Sequence, residues 1–469
     1  MTYALVINTM KKIAKKNLIF SIVFITIATS AYIIKKRCSI YAYDVAKDYK
    51  YDFFNTNAII SELYIKNGKI LLPKLNHNRQ SSFIKINAKT TFWGNYFEPS
   101  ITLISKKKSY TQYFEKGVNG IRYLNISPLT SLKGTKIQLE TKYMAVDNQT
   151  ATLFLFTNKE IKKAKIMIIA PHPDDAEIAA YGLYSSNKKS YIITITAGDA
   201  GSNKYDEIYQ DKVKQYLKKG KLRTWNSITV PLLGGIPPEQ CINLGFFDAT
   251  LKKMYKNQSS TIGGIYTKAS DISTFRKQNI SSISSGLSGK SNWKSLVENI
   301  KYLLRIIDPD IIITPYPALD KHKDHKLSSL ALFEAIKKIN LKKGDLYLYT
   351  NHHTLNEHYP YGKMGGLISL PPNFKETIYF DEIYSHTLSI DNMKDKLLAL
   401  EAMNDLRLDT EWRSFAGAVK LANANFKKTI MDKEKSYYRR AIRSNELFFV
   451  VAISNIYNKN ILNSIVGEF

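Results

Sequence analysis

Residues 166–177 read Ile-Met-Ile-Ile-Ala-Pro-His-Pro-Asp-Asp-Ala-Glu, an apolar run that ends in a turn carrying one imidazole and three carboxylates. An unbroken apolar run without polar alternation is the pattern of a strand buried on both faces. The helical pattern begins at Ala176, so the cluster lies just beyond a strand's carboxyl end, where open α/β sheets bind ligands. A later stretch repeats the layout. The run 310–314 enters Pro315-Tyr316-Pro317-Ala318-Leu319-Asp320-Lys321-His322-Lys323-Asp324-His325. Either fragment alone fits a helix cap or a structural histidine. Together they place two clusters of histidine and carboxylate at one rim of one sheet, using three of only eight histidines.

Outward from these stretches, apolar strands at 191–196, 310–314 and 345–349 alternate with helical patterns near 211–219, 293–307 and 326–339. Such alternation predicts a Rossmann-like parallel sheet with helices on both faces. Upstream, 83–88, 101–105, 121–126 and 150–156 are short β runs broken by Asn-Gly and Asp-Asn turns, which predicts an all-β unit, a sandwich or jelly roll. The expected organisation is a tail and membrane anchor over 1–40, a β accessory domain over 41–160 and the α/β domain over 161–469. Residues 258–291, rich in Ser, Gly and Ile without clear period, are expected to form a surface insertion or a lid. The segment 351–362, Asn-His-His through Tyr-Pro-Tyr-Gly, concentrates hydrogen-bonding and aromatic groups after a predicted strand.

Leu18 to Ile34 is uncharged and mostly apolar, between Lys11, Lys12, Lys15, Lys16 and Lys35, Lys36, Arg37. It sits at the short end for a membrane span. A cleaved signal peptide competes, but no small-x-small cleavage site follows and three cations do, so an uncleaved single-pass anchor is expected. The cation balance favours a cytoplasmic amino terminus and a periplasmic or extracytoplasmic body. The formal charge of +28 suits anionic partners, yet the lysines are interleaved with Asn, Ile and Tyr along the whole chain, as a biased base composition produces. No nucleic-acid motif is present, and no nucleic-acid partner is expected. Cys38 and Cys241 are too few for a disulfide framework or a thiolate metal cage.

PHPDDAE followed by HKDH resembles the PIG-L, or LmbE-like, family of zinc de-N-acetylases, whose usual forms are AHPDD with a nearby Glu, and HPDH. The resemblance extends to Thr196-Ala197-Gly198-Asp199-Ala200-Gly201, similar to the family's Thr-x-Gly-x-x-Gly loop, and to Gly245-Phe246-Phe247-Asp248, similar to its Gly-Tyr-x-Asp segment. It covers roughly 165–349. It implies His172, Asp175 and His325 as ligands of one Zn2+ per chain, leaving a fourth position for water, with another divalent transition metal as an alternative. It implies Asp174 as general base, His322 as donor to the oxyanion, and Asp324 as the carboxylate orienting that imidazole. Arg223 and Asp248 fall in segments that resemble those lining the sugar pocket. Glu177 is either part of the site or a helix-start carboxylate.

This chain departs from the pattern where Ala176 separates Glu177 from the Asp pair and where Lys323 replaces the usual Pro. The activity the resemblance implies is removal of the acetyl group from an N-acetylglucosamine-like sugar in an envelope glycan or glycolipid. Two alternatives stand beside it. One is the same chemistry facing the cytoplasm on a lipid-linked precursor, and the other a non-catalytic glycan-binding or assembly protein on the same fold.

Overall fold

The computed structural model describes residues 2–73, 80–130, 136–206, 208–375, 378–406 and 440–467. It opens with one helix, α1 (Thr2–Ile40), whose stretch Ile13–Tyr32 is long and apolar enough to cross a bilayer. Leu18, Phe20, Phe24, Ile25 and Ile27 all point outward. A helix of a water-soluble fold would turn such residues onto a core.

Strands β1 (Ile59–Lys66), β2 (Lys69–Leu71), β3 (Gln80–Thr90), β4 (Ser100–Ser105), β5 (Lys108–Tyr113), β6 (Asn119–Asn125), β7 (Lys136–Lys142), β8 (Met144–Ala145) and β9 (Gln149–Thr157) follow. They form one antiparallel sheet in the order β5-β4-β7-β2-β1-β9-β3-β6, with β8 added on β3. The expected sandwich or jelly roll is instead one continuous sheet folded over itself, so that Leu63, Ile84, Ile101, Leu124, Ile137 and Leu153 share a single apolar core. A side chain joins its two end strands. Gln112 on β5 donates to the Tyr123 carbonyl at 2.8 Å and accepts from the Asn125 amide at 2.9 Å on β6. Period-2 patterning reveals which residues face inward but not whether the ladder continues between layers.

The second sheet contains β10 (Ile166–Ala170), β11 (Ser190–Thr196), β12 (Cys241–Phe246), β13 (Ile311–Pro315), β14 (Asp345–Tyr349), β15 (Glu382–Thr387) and β16 (Asn445–Ala452), in the order β12-β11-β10-β13-β14-β16-β15. The first five run parallel. β16 pairs antiparallel with both β14 and β15, so the sheet is mixed rather than wholly parallel as expected. Antiparallel addition needs no crossover helix, so these two strands do not show in a pattern of alternating strands and helices.

Successive residues of β10 face opposite sides of the sheet. Met167 and Ile169 pack with α6 (Trp293–Ile307) and α7 (Lys323–Lys338), while Ile166, Ile168 and Ala170 pack with α2 (Asp175–Ser185) and α8 (Ile390–Ala402). The remaining helices are α3 (Lys212–Thr229), α4 (Leu251–Lys256), α5 (Ser273–Arg276) and α9 (Lys459–Val466). The two sheets share a core. Phe53 stacks on Phe154 at 3.9 Å between ring centroids and meets Phe380 edge-on at 5.7 Å. The 258–291 segment is docked on the domain through Ile272 and Phe275, which are buried. Its Asn279 amide group pairs with both the N–H and the C=O of Asn243, satisfying backbone groups on the sheet's end strand.

Candidate metal centre

β10 and β13 lie side by side and parallel, so the loops leaving their carboxyl ends meet at one rim. His172 and Asp175 come from the first loop, and His325 from the first turn of α7. His172 Nδ1 lies 3.3 Å from His325 Nε2 and 3.3 Å from Asp175 Oδ2, and His325 Nε2 lies 3.2 Å from that same oxygen. Three donors sharing a tetrahedral zinc at about 2.1 Å stand about 3.4 Å from one another. The triangle fits that shell. Looser groupings involve the same place: His172, His322 and His325, and His172, Asp248 and Asp324, each with ligand atoms within 4.8 Å. Donors on opposite sides of one zinc are separated by about 4.2 Å at most, so the tight triangle is the better fit.

Each donor is held from behind. His325 Nδ1 faces Asp320 Oδ2 at 3.0 Å, and Asn351 donates to Asp175 Oδ1 at 2.7 Å. His172 Nε2 faces Asp248 Oδ1 at 3.1 Å and Asp324 Oδ2 at 3.6 Å. An imidazole whose second nitrogen meets a carboxylate is fixed in tautomer and orientation. Asp175 and His325 are buried, and the two imidazoles around Asp175 hold its carboxyl well below the usual range against the opposing effect of burial.

Asp174 starts α2 with φ 150° and ψ −25°, a conformation that costs on the order of 1–3 kcal/mol and collects at functional sites. Burial pushes its carboxyl up to about 6, opposed chiefly by Arg223. The Arg223 Nη2 donates to Asp174 Oδ2 at 3.0 Å and to the Pro173 carbonyl at 3.2 Å, and Nη1 donates to the Gly198 carbonyl at 3.3 Å. Nη1 also pairs with Asp405 at 3.3 Å. Gly198 has φ +63°, and a Cβ there would come within 2.7 Å of the guanidinium, so glycine is needed for this close approach.

The expected sites are thus gathered, with three changes of partner. Arg223, expected to read a sugar, turns inward onto Asp174. Asp248, expected in the same role, backs His172. Asp324 accepts from the Ala249 amide at 2.7 Å and faces His172 rather than His322. Asp324 lies in the first turn of α7, whereas His322 immediately precedes the helix. His322 stands with ring centroids 4.8 Å from His172 and 4.9 Å from His325. Burial first, then the neighbouring imidazoles of His172, His325 and His352, press it down to about 3. Its Nδ1 has no hydrogen-bond partner among the described residues. Glu177 is buried against Tyr184, whose hydroxyl donates to it at 3.2 Å, and burial, with the charges of Asp174 and Asp175, pushes it up to about 8.

Asn351 and Asp199 are parts of the site that sequence reasoning does not name as site residues, although both lie in segments it singles out, 351–362 and 196–201. Asn351 opens the loop after β14, the third strand end at this rim. Asp199 accepts from the Asp248 amide at 2.8 Å and so fixes the carboxylate behind His172.

A buried triangle of two imidazoles and a carboxylate at the carboxyl rim of a parallel strand pair, beside a strained second aspartate, defines a candidate metal-dependent hydrolytic centre on an α/β sheet. Residues 167–336 match the family model described as PIG-L: GlcNAc-PI de-N-acetylase, and this part of the chain is a PIG-L family domain. Among solved structures, the A40926 pseudoaglycone deacetylase Dbv21 is similar at 16% identity with a TM-score of 0.32, covering 62% of this chain and 98% of that one. The zinc-inhibited form of teicoplanin deacetylase Orf2 is similar at 13% identity with a TM-score of 0.31, covering 61% and 97%. The 4-carboxy-2-hydroxymuconate hydratase GalB, from Pseudomonas putida KT2440, is similar at 14% identity with a TM-score of 0.30, covering 61% and 96%. No curated protein matches the chain in sequence.

Proposed function

We propose that this chain hydrolyses the N-acetyl amide of an N-acetylglucosamine-like sugar in an envelope glycan or glycolipid, releasing acetate and a free amine. The observation that carries the proposal is the 3.2–3.3 Å triangle of His172, Asp175 and His325, with Asp174 beside it in a PIG-L family domain. Those three residues would hold one zinc ion, which supplies Lewis acidity toward an amide carbonyl and a water of lowered pKa.

Asp174 accepts the proton of the attacking water and returns it to the departing nitrogen. Arg223 keeps that carboxylate aimed at the cluster and favours its ionised form. His322, with a nitrogen unpaired among the described residues, donates to the oxygen on which negative charge develops. Asp320, Asp248, Asp324 and Asn351 keep the ligand side chains in place.

Helix α1 anchors the chain in the cytoplasmic membrane, and the cations on its two sides favour a body outside the cytoplasm. A glycan or glycolipid at that surface is then within reach, and removing its acetyl group leaves a positive charge on it. The test is to incubate the zinc-loaded full chain in detergent with a panel of polymeric, lipid-linked and small soluble N-acetylated sugars and to measure free acetate. Release from at least one sugar is expected. No release from any of them, with zinc bound, would remove the hydrolase reading.

A further inference from the structure

A second surface of the protein has the composition of a membrane contact. Phe92, Trp93, Tyr96 and Phe97 form a 3-10 turn between β3 and β4, with exposures of 68%, 57%, 38% and 48%. Isolated apolar residues are normal on a protein surface, but four neighbouring aromatic side chains that no element covers among the described residues mark an interaction site. The rings support one another. Trp93 packs on Phe92 and Phe97, with centroids 5.4 and 6.0 Å away, and Phe97 stacks on Tyr143 at 5.2 Å.

The turn is seated firmly. The Gly94 carbonyl accepts from the Gly117 amide at 2.9 Å, and a Cβ at Gly94 would lie 2.2 Å from the Tyr143 carbonyl oxygen. Exposed Lys89 and Lys142 flank it, with the Lys142 Nζ 5.3 Å from the Tyr143 ring centroid, and half-buried Glu98 is the adjoining acid.

What identifies the occupant is where the turn lies. The neighbouring amide, that of Lys116, donates to the hydroxyl of Tyr41 at 3.0 Å, and Tyr41 is the first residue after α1. The aromatic turn and the exit of the helix therefore ride on consecutive residues of one loop. The chain beyond Tyr41 gives no slack. Arg122 donates to the carbonyls of Val45 and Lys47 at 2.7 and 2.9 Å, and Asp48 accepts from the Ile121 amide at 2.8 Å. From Tyr32 the helix continues for about 12 Å at 1.5 Å per residue, while headgroups extend about 5–8 Å beyond the hydrocarbon on each side. Tyr41 then stands just outside the headgroups, and the turn is tied to it through Lys116 and Gly117.

We propose that the Phe92–Phe97 turn inserts its aromatic side chains into the headgroup region of the bilayer that α1 enters, a second contact that fixes the body's orientation. Aromatic rings with polar edges favour this layer, and flanking lysines favour anionic lipid. The proposal rests on α1 being a membrane anchor.

The experiment places full-length protein in vesicles of phosphatidylethanolamine and phosphatidylglycerol and takes the difference in tryptophan emission between wild type and Trp93→Phe. Emission that is quenched by lipids brominated near the headgroup, and protected from aqueous iodide, supports the contact. Equal iodide quenching in vesicles and in detergent, with the protein still floating with the vesicles, overturns the contact and leaves the anchor standing. Failure of the chain to float with vesicles overturns both. A Trp93 emission shift on adding soluble chitin oligosaccharides in detergent, with no effect of brominated lipid, assigns the turn to glycan and overturns the proposal.

Discussion

His172 Nδ1 and His325 Nε2 lie 3.3 Å apart, although 153 residues separate them in the chain. Two imidazole nitrogens brought this close, with Asp175 Oδ2 completing the triangle, leave little room for anything except a shared proton or a shared ion. Several outcomes follow if the occupant is a metal.

Substituting Asp174→Asn keeps the shape of the side chain and removes its capacity to accept a proton. Acetate release should fall roughly 100- to 10,000-fold. Zinc content, measured by atomic emission on the same preparation, should stay at the wild-type level, because Asp174 lies outside the triangle. Full activity in this variant would end the general-base assignment.

Arg223→Lys separates two roles. An arginine that reads substrate hydroxyls would raise KM when replaced. One that holds Asp174 and the Gly198 carbonyl should lower kcat with KM little changed, by about 10- to 100-fold for the loss of charge-assisted hydrogen bonds. Steady-state kinetics on the sugar found active in the acetate panel distinguish the two.

Asp320→Asn removes the carboxylate behind His325 Nδ1. Zinc affinity should weaken about 10- to 100-fold, as read by competition with a chromophoric chelator. An unchanged affinity would mean that Asp320 serves only the backbone amides of His322, Asn351 and His352 that it also accepts from.

Phe53→Ala tests the shared core. The ring lies between Phe154 of the first sheet and Phe380 beside the second, so its loss should cost about 3–5 kcal/mol. Because one core joins both sheets, the wild-type body in detergent should unfold in a single thermal transition with coincident near- and far-UV circular dichroism. Two resolved transitions would show that the sheets are energetically separate.

The sequence reveals strands that are buried on both faces most clearly. Ile166–Ala170, Asp345–Tyr349 and the helix Trp293–Ile307 stand where the patterning puts them. The histidines proposed as ligands are legible because their motifs sit directly at strand ends. The supports are less so, since the carboxylates behind His172 come from 248 and 324, and nothing local ties either to His172. Arg223 lies mid-helix, and only the fold brings its guanidinium onto Asp174. The strands β15 and β16 escape notice because they add to the sheet without a crossover. The folded-over sheet escapes because its end strands are bridged by a side chain, Gln112, rather than by a ladder that patterning could reveal.

The most direct test of the central claim is the zinc content of the purified full-length chain, wild type against His325→Ala, with circular dichroism confirming that both are folded. About one zinc per wild-type chain and close to none in the variant is the predicted result. Equal zinc in the two proteins would contradict a centre built on His172, Asp175 and His325.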